Sequence, residues 1–246
     1  MKKTVLITGV GKRIGLALAR YYLAQGAQVI GTYRSHYSSL DELAQLGAHL
    51  YQCDLTDSQA IDALIAQVVQ HHPSLNSLIH NASDWLPDNK AGLSPGEVMQ
   101  RMMQIHVSAP YQLNLGLAPL LASAAKSHND AVAQIGASNI VHITDYVAEK
   151  GSKKHIAYAA SKAALHNMTL SFAAKLAPEI KVNSIAPAMI LFNEGDDAAY
   201  QAKTLAKAAL PKEAGTEEMI ALVDYLLGSH YVTGRSFAVD GGRHLV

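Results

Sequence analysis

TVLITGVGKRIG, residues 4–15, combines two signals. The apolar and β-branched run at 4–8 predicts a strand, and Thr8, Gly9, Val10, Gly11, Lys12, Arg13, Ile14, Gly15 predict a tight turn that runs into a helix. Glycines in a strand-to-helix turn let the backbone approach a pyrophosphate, whose charge then faces the unpaired N–H groups of the helix N-terminus. A glycine loop alone is a weak signal. In this strand, turn and helix context it predicts nucleotide binding, with Gly9, Gly11, Arg13 and Ile14 as candidate contacts.

The alternation continues along the chain. Further β-rich runs at 28–33, 49–53, 77–80, 139–144, 181–185 and 236–239 are separated by helical stretches. That pattern gives right-handed βαβ units and a parallel sheet covered on both faces, so the expectation is a doubly wound α/β fold with seven parallel strands in a single domain over 1–246. Thr56 and Gln59 read as a capping box opening one helix; Ser94, Pro95 and Glu97 read as the N-cap, N1 and N3 residues of another. The helical stretch from residue 95 toward 123 meets Pro110, which predicts a kink or a division there. Residues 188–215 interrupt the alternation with an Asn193, Glu194, Gly195, Asp196 turn and an alanine-rich helix, and are expected to form a lid over a site.

Composition narrows the function classes. Charged residues make up 16% of the 246 and the formal net charge is zero, which argues against a field suited to nucleic acid or a membrane surface. Cys53 is the single cysteine, so an intramolecular disulfide and a thiolate metal cluster are excluded, and the twelve histidines are scattered without HExxH or Cys/His spacing. No metal site is expected. Residues 1–8 lead into the first strand with no signal-peptide core, and no apolar run is long enough to span a bilayer; the expectation is a soluble cytoplasmic protein.

The second strand ends in Gly31, Thr32, Tyr33, Arg34, Ser35, His36, with no acid before Asp41. A carboxylate at such a strand end accepts from the ribose 2′-hydroxyl of NAD, whereas a guanidinium fork matches a 2′-phosphate. Arg34 and Ser35 therefore predict NADPH. Asp54 and Leu55 follow the third strand, with Asp54 a candidate for the adenine or for capping the next turn. Asn81, Ala82 and Ser83 follow the fourth, at the carboxyl edge where ligands bind in such sheets.

Tyr158 and Lys162 lie four apart in Tyr158, Ala159, Ala160, Ser161, Lys162, so on a helix they share a face. A cation beside a phenol stabilises the phenolate and would draw its pKa from about 10 toward working pH. Asp145 precedes the pair. An ionised carboxylate only accepts hydrogen bonds, so it would repel a ketone oxygen and suits an N–H-rich heterocycle.

These pieces in this order, with Asn183, Ser184, Ile185, Ala186, Pro187 after the tyrosine helix and Asp240, Gly241, Gly242 near the end, resemble the short-chain dehydrogenase/reductase family over essentially the whole chain. The resemblance implies a Rossmann-like domain, a nicotinamide cofactor, Tyr158 as catalytic acid/base, Lys162 as the group that lowers its pKa and holds the nicotinamide ribose, and a homotetramer or homodimer packed through the helix that carries Ala159, Ala160, Ala163 and Ala164. Two departures are similar to the pteridine reductases of that family: Arg13 stands at the third glycine position, and Asp145 replaces the usual serine. In that subgroup an aromatic after the Asn-Ala-Ser segment stacks on the pterin, which here implies Trp85, with Arg13, Asp145 and Tyr158 as its other contacts.

The runs HITDY (142–146) and HIAYAASKAAL (155–165) extend the resemblance to bacterial members that also act weakly on dihydrofolate. The implied reaction is NADPH-dependent reduction of a 7,8-dihydropterin, with hydride to C6 and a proton to N5. His106 stands where many members carry a helix asparagine that holds a proton relay, and Ala188 stands where a glycine is usual after Pro187. Two other readings share the cofactor motifs: an NADPH-dependent carbonyl or enoyl reductase, and a non-catalytic NADP(H)-binding module.

Overall fold

The computed structural model describes residues 3–246. Strands β1 (Thr4–Thr8), β2 (Gln28–Tyr33), β3 (His49–Gln52), β4 (Ser77–His80), β5 (Ser138–Ile143), β6 (Ile180–Pro187) and β7 (Ser236–Val239) form one parallel sheet in the order β3-β2-β1-β4-β5-β6-β7. Helices α1 (Arg13–Ala24), α2 (Ser38–Gln45), α3 (Ser58–His71), α4 (Pro95–Met103), α5 (Ala109–Lys126), α6 (Ala131–Gln134), α7 (Val147–Lys150), α8 (Ile156–Leu176), α9 (Ala198–Leu205) and α10 (Thr216–Gly228) connect them. The chain builds outward from β1 to β3, then returns to place β4 on the other side of β1. The resulting reversal leaves a crevice beyond the carboxyl ends of β1 and β4, the place where ligands bind in open α/β sheets. The fold is the Rossmann-like, seven-stranded parallel α/β sheet that the sequence pattern implies.

Strand periodicity divides the core into two layers. Leu6, Ile30, Leu78 and Ile140 point to the side packed by α3, α4, α5 and α8, while their neighbours Val5, Val29, Ile79 and Val141 point to the side of α1 and α10. Every residue of β1, β4 and β5 is buried, as expected of central parallel strands with both faces covered, whereas the edge strands β3 and β7 are partly exposed.

Three local expectations change. The third helix opens at Asp57, whose Oδ1 accepts from the N–H groups of Gln59 and Ala60, while Thr56 instead donates to Asp54. Asp57 prevails because its carboxylate reaches two free amides of the first turn. The predicted Ser94, Pro95, Glu97 capping box is present. The long helical stretch does not break at Pro110: it runs on through a π-turn over Gln104–Ser108, and Pro110 follows that widened turn at the start of α5. Strand β3 ends one residue before its predicted run, β5 is displaced by one residue toward the N-terminus, and β6 is extended at both ends.

The layer packed by α5 and α8 also contains a buried polar chain. His80 Nε2 meets Asn114 Oδ1 at 2.8 Å, Asn114 Nδ2 meets His142 Nε2 at 3.1 Å, and His142 Nδ1 meets Thr169 Oγ1 at 2.9 Å, with the threonine donating to Leu165 O. One proton arrangement satisfies all of these contacts: both histidines neutral, His80 donating from Nε2 and His142 from Nδ1. Burial pushes the His80 pKa down to about 4 and that of His142 well below its usual value. Both are neutral in the fold and protonated below about pH 6.5 when unfolded, so stability is full above that pH and falls as pH drops. Denaturant midpoints measured from pH 7 to pH 4 are expected to fall, with His80 alone accounting for about 3 kcal/mol; a flat profile over that range would contradict neutral burial.

Candidate active site

The crevice at the β1/β4 reversal is a cavity of about 540 Å³. The cofactor, catalytic and pterin candidates named from sequence line it: Gly9, Gly11, Arg13 and Ile14 from the loop, Arg34 and Ser35 after β2, Asp54 and Leu55 after β3, Asn81, Ala82, Ser83 and Trp85 after β4, and Asp145, Tyr158 and Lys162, while His106 lies behind Tyr158. The loop is built for close approach. Gly9 adopts φ +76°, and a Cβ at Gly15 would lie 2.1 Å from Gly9 O and 2.5 Å from Asn81 Nδ2, so only glycine lets α1 begin this near the loop. Asn81 Nδ2 donates to both Thr8 O and Gly9 O, joining the ends of β4 and β1, and Thr8 Oγ1 accepts from the N–H groups of Asn81 and Ala82. The bare backbone at the start of α1 and the length of the crevice fit a dinucleotide pyrophosphate.

At the other end, Asp145 Oδ2 accepts from the Tyr158 hydroxyl at 2.9 Å and Oδ1 accepts from Val147 N–H at 3.0 Å. Lys162 is 2% exposed; its Nζ donates to Ile143 O at 2.9 Å and lies 5.6 Å from the Tyr158 ring centroid. Burial raises the Asp145 pKa, against the lowering pull of the Val147 amide, Tyr158, Lys162 and Arg243. Burial pushes Lys162 down to about 8, with Asp145 acting the other way.

The Tyr158 phenol is held well above its usual value by burial and then by the adjacent Asp145 carboxylate. This corrects the expectation that Lys162 draws the phenol toward neutrality: the phenol donates to an acid, which stabilises its neutral form, while the lysine's N–H is directed at a backbone carbonyl.

His106, in the π-turn, is buried beside this pair, its ring edge-on to Tyr158 at 5.4 Å. Nδ1 contacts Ser161 Oγ and Nε2 contacts Ser83 Oγ, both at 2.8 Å. Ser161 donates to Tyr158 O, so its oxygen accepts from Nδ1–H and Nε2 is left to accept from Ser83. Burial, with Lys162 nearby, keeps the imidazole neutral.

Several predicted contacts are engaged elsewhere. Arg13, at φ +54°, directs its guanidinium to Leu191 O at 2.9 Å, Asn193 Oδ1 at 3.0 Å and Phe192 O at 3.4 Å, tying the glycine loop to segment 188–215. Arg34 pairs with Asp84 Oδ2 at 2.9 Å, and Arg101 binds the same oxygen through Nε and Nη2. Asp54 Oδ1 accepts from Thr56 N–H and Oγ1, the capping alternative to an adenine contact. Trp85 is 62% exposed with its ring 4.1 Å from that of His155. Ala188 N–H donates to Val239 O, continuing the β6 pairing into the loop. Asp84, Arg101 and Ser161 were not singled out from sequence, because their roles come from partners 17 to 55 residues away that no local spacing reports.

A doubly wound sheet with a glycine loop at its reversal, and a tyrosine and lysine facing it from one helix, define a nicotinamide-dependent reductase of the short-chain type, and the chain belongs to the short-chain dehydrogenase/reductase family. The family model described as enoyl-(acyl carrier protein) reductase matches residues 9–244. A dihydromonapterin reductase of Klebsiella pneumoniae is 53% identical over 243 residues, covering 99% of this chain and 97% of that one. Its counterpart in Citrobacter koseri is 52% identical over 241 residues, covering 98% and 96%. The crystal structure of FolM alternative dihydrofolate reductase 1 from Brucella canis, complexed with NADP, superposes with a TM-score of 0.84 at 26% identity, covering 99% of this chain and 94% of that one.

Because the Gly15 contact is with backbone, Gly15→Ala is expected to displace the loop and lower stability by about 1–3 kcal/mol in urea unfolding. An unchanged midpoint would show that the loop yields freely.

Proposed function

We propose that this chain reduces a 7,8-dihydropterin with NADPH, with dihydromonapterin the main substrate, giving tetrahydromonapterin, and dihydrofolate a weaker one. Bound NADPH supplies a hydride for C6 of the pterin. The observation that carries the reading is Asp145: a buried acid, bonded to the Tyr158 hydroxyl, stands where a ketone reductase needs a donor. Tyr158, a neutral phenol held by the Asp145 carboxylate, is positioned to supply the proton for N5. The identity to the dihydromonapterin reductases supports the substrate, and the Brucella dihydrofolate reductase supports the weaker activity and the cofactor.

In this reading the backbone of Gly9, Gly11 and Ile14 faces the pyrophosphate, with Arg13 reaching it and the pterin when it leaves the lid. Arg34 exchanges Asp84 for the 2′-phosphate, with Ser35 as a further donor, and Asp54 with Leu55 borders the adenine. Asn81, Ala82 and Ser83 line the middle of the cofactor, and the Lys162 ammonium holds the nicotinamide ribose. Trp85 stacks on the face of the pterin away from nicotinamide. Ser83, His106 and Ser161 form a neutral relay beside Tyr158. Segment 188–215 acts as the lid, held by Arg13.

No described helix is long and apolar enough to cross a membrane, which is in keeping with a cytoplasmic enzyme. Exposed Tyr111 and Leu115 on α5 and Leu170 on α8 support a homo-oligomer, dimer or tetramer, packed through these helices. The description of the matching family favours an enoyl reductase as the second reading. A substrate panel followed at the NADPH absorbance band separates the two: turnover of enoyl or ketone substrates without dihydropterins would overturn the pterin assignment.

Tyr158→Phe is expected to leave NADPH binding intact by fluorescence titration and to reduce kcat by at least about 10²-fold; unchanged turnover would remove Tyr158 from the proton path. Lys162 is charged below about pH 8 and neutral above it. The kcat/KM profile is therefore expected to fall through pH 8 on the alkaline side, and a rise there would contradict a charged Lys162 in the working site. Arg34→Ala is expected to raise the KM for NADPH by about tenfold or more with little effect on NADH, as initial rates with each cofactor would report.

A further inference from the structure

Trp85 is largely exposed, yet the segment that carries it is fastened at several points. Its indole lies against His155, with ring centroids 4.1 Å apart and planes tilted by 38°. The next residue binds the same histidine: Leu86 O meets His155 Nδ1 at 3.2 Å, and since a carbonyl only accepts, Nδ1 carries the proton and donates. Two residues further on, Asp88 Oδ2 accepts from Ile156 N–H at 2.9 Å and Oδ1 from Ala157 N–H at 3.2 Å, while Asp88 N–H donates to Lys154 O at 3.1 Å. On the other flank of Trp85, Asp84 is held from α4 by Arg101.

Ile156 opens α8, the helix of Tyr158 and Lys162, and His155 in the N-cap position makes no side-chain bond to the first turn. The free amides at a helix start are ordinarily satisfied by the side chain of the N-cap residue itself. Here the cap is Asp88, 68 and 69 residues upstream of the amides it binds, and a carboxylate in that place also suits the helix dipole. A serine or asparagine at position 155 would cap α8 from its own chain neighbourhood. It would tie the helix to nothing else.

We propose that Asp88 and His155 are positioning residues for the pterin: they clasp the Trp85 segment to the first turn of α8, so that the indole that stacks on the substrate and the Tyr158 phenol are held at a set separation. The inference rests on the pterin reading above, in which Trp85 stacks on the ring. With His155 against the indole on one side, the ring is received on the other. An aromatic fixed in advance loses little freedom when a ligand stacks on it, so the clasp acts on affinity for the dihydropterin and not on affinity for NADPH.

Trp85 is the single tryptophan of the chain, so intrinsic emission reports this ring alone. Asp88→Ala and His155→Ala are expected to shift that emission to the red and to increase its quenching by acrylamide. With NADPH saturating, they are expected to raise the KM for 7,8-dihydromonapterin by about tenfold while kcat stays within about threefold, and to leave the NADPH dissociation constant unchanged. Asp88→Asn keeps one acceptor for the first turn and is expected to lie between Asp88→Ala and the wild type. If the alanine variants do not fold, Asp88→Asn and His155→Phe, which keeps a ring against the indole and loses the bond to Leu86, decide by the same readouts, each expected to raise KM about threefold.

A KM that stays at the wild-type value, or that rises with no change in Trp85 emission, would overturn the proposal while wild-type turnover of the dihydropterin leaves the pterin reading standing. An equal loss of NADPH affinity would overturn it as well, since Asp88 would then be a cap of the helix and nothing more. If the wild-type chain turns over no dihydropterin, the pterin reading is lost and this inference falls with it.

Discussion

One side-chain amide holds the seam on which the site depends. Asn81 Nδ2 donates to Thr8 O and Gly9 O, fastening the end of β4 to the end of β1 where the chain reverses its direction of sheet growth. The amide also occupies the space that a side chain at position 15 would need. Helix α1 can then begin almost against the loop, with its free N–H groups facing the crevice. The seam is therefore a packing constraint first and a binding site as a consequence: glycine at 15, asparagine at 81 and threonine at 8 are each fixed by the other two.

The far end of the crevice is governed by desolvation. Asp145, Tyr158, Lys162 and His106 are all withdrawn from water, and burial disfavours each charged form, raising the acid and the phenol and lowering the lysine and the imidazole. Hydrogen bonds then partition the group. The phenol is committed to the carboxylate, the lysine to the Ile143 carbonyl and the imidazole to two serines. The result is a neutral phenol and a neutral imidazole set beside a lysine that keeps its charge below about pH 8, with one short hydrogen bond joining the phenol to the acid. A serine in place of Asp145 would leave the same helix and the same lysine with a different proton inventory.

Much of this was legible in the sequence because it is written locally. Strand runs such as TVLIT and the glycine loop encode their own conformations, and a tyrosine and lysine four apart must share a helix face. The cavity accordingly brings Gly9, Gly11, Arg13 and Ile14 of the loop to the same crevice as Tyr158 and Lys162. What escaped is carried by long-range partners. Arg34 reads as a phosphate ligand, yet its Nη1 pairs with Asp84, fifty residues away. Arg13 reads as a phosphate and pterin contact, yet it spans to the carbonyls of Leu191 and Phe192 and the Asn193 amide oxygen, about 180 residues on. The direction of the phenol pKa was misjudged for the same reason: the Tyr158, Lys162 spacing is visible in the sequence, but whether the acid or the ammonium lies nearer the hydroxyl is a matter of depth and rotamer.

The π-turn at Gln104–Ser108 sets a limit of another kind. A helix that widens for one turn carries one residue more than regular geometry would, and that surplus lets α4 and α5 both present their apolar sides to the sheet while His106 faces Tyr158 and Asn114 sits between two histidines. Removing any single residue here would restore a regular helix and turn one side against the other by about 100°. The segment is therefore constrained in length as well as in the identity of His106: an insertion or deletion would have to be matched by another within a turn or two.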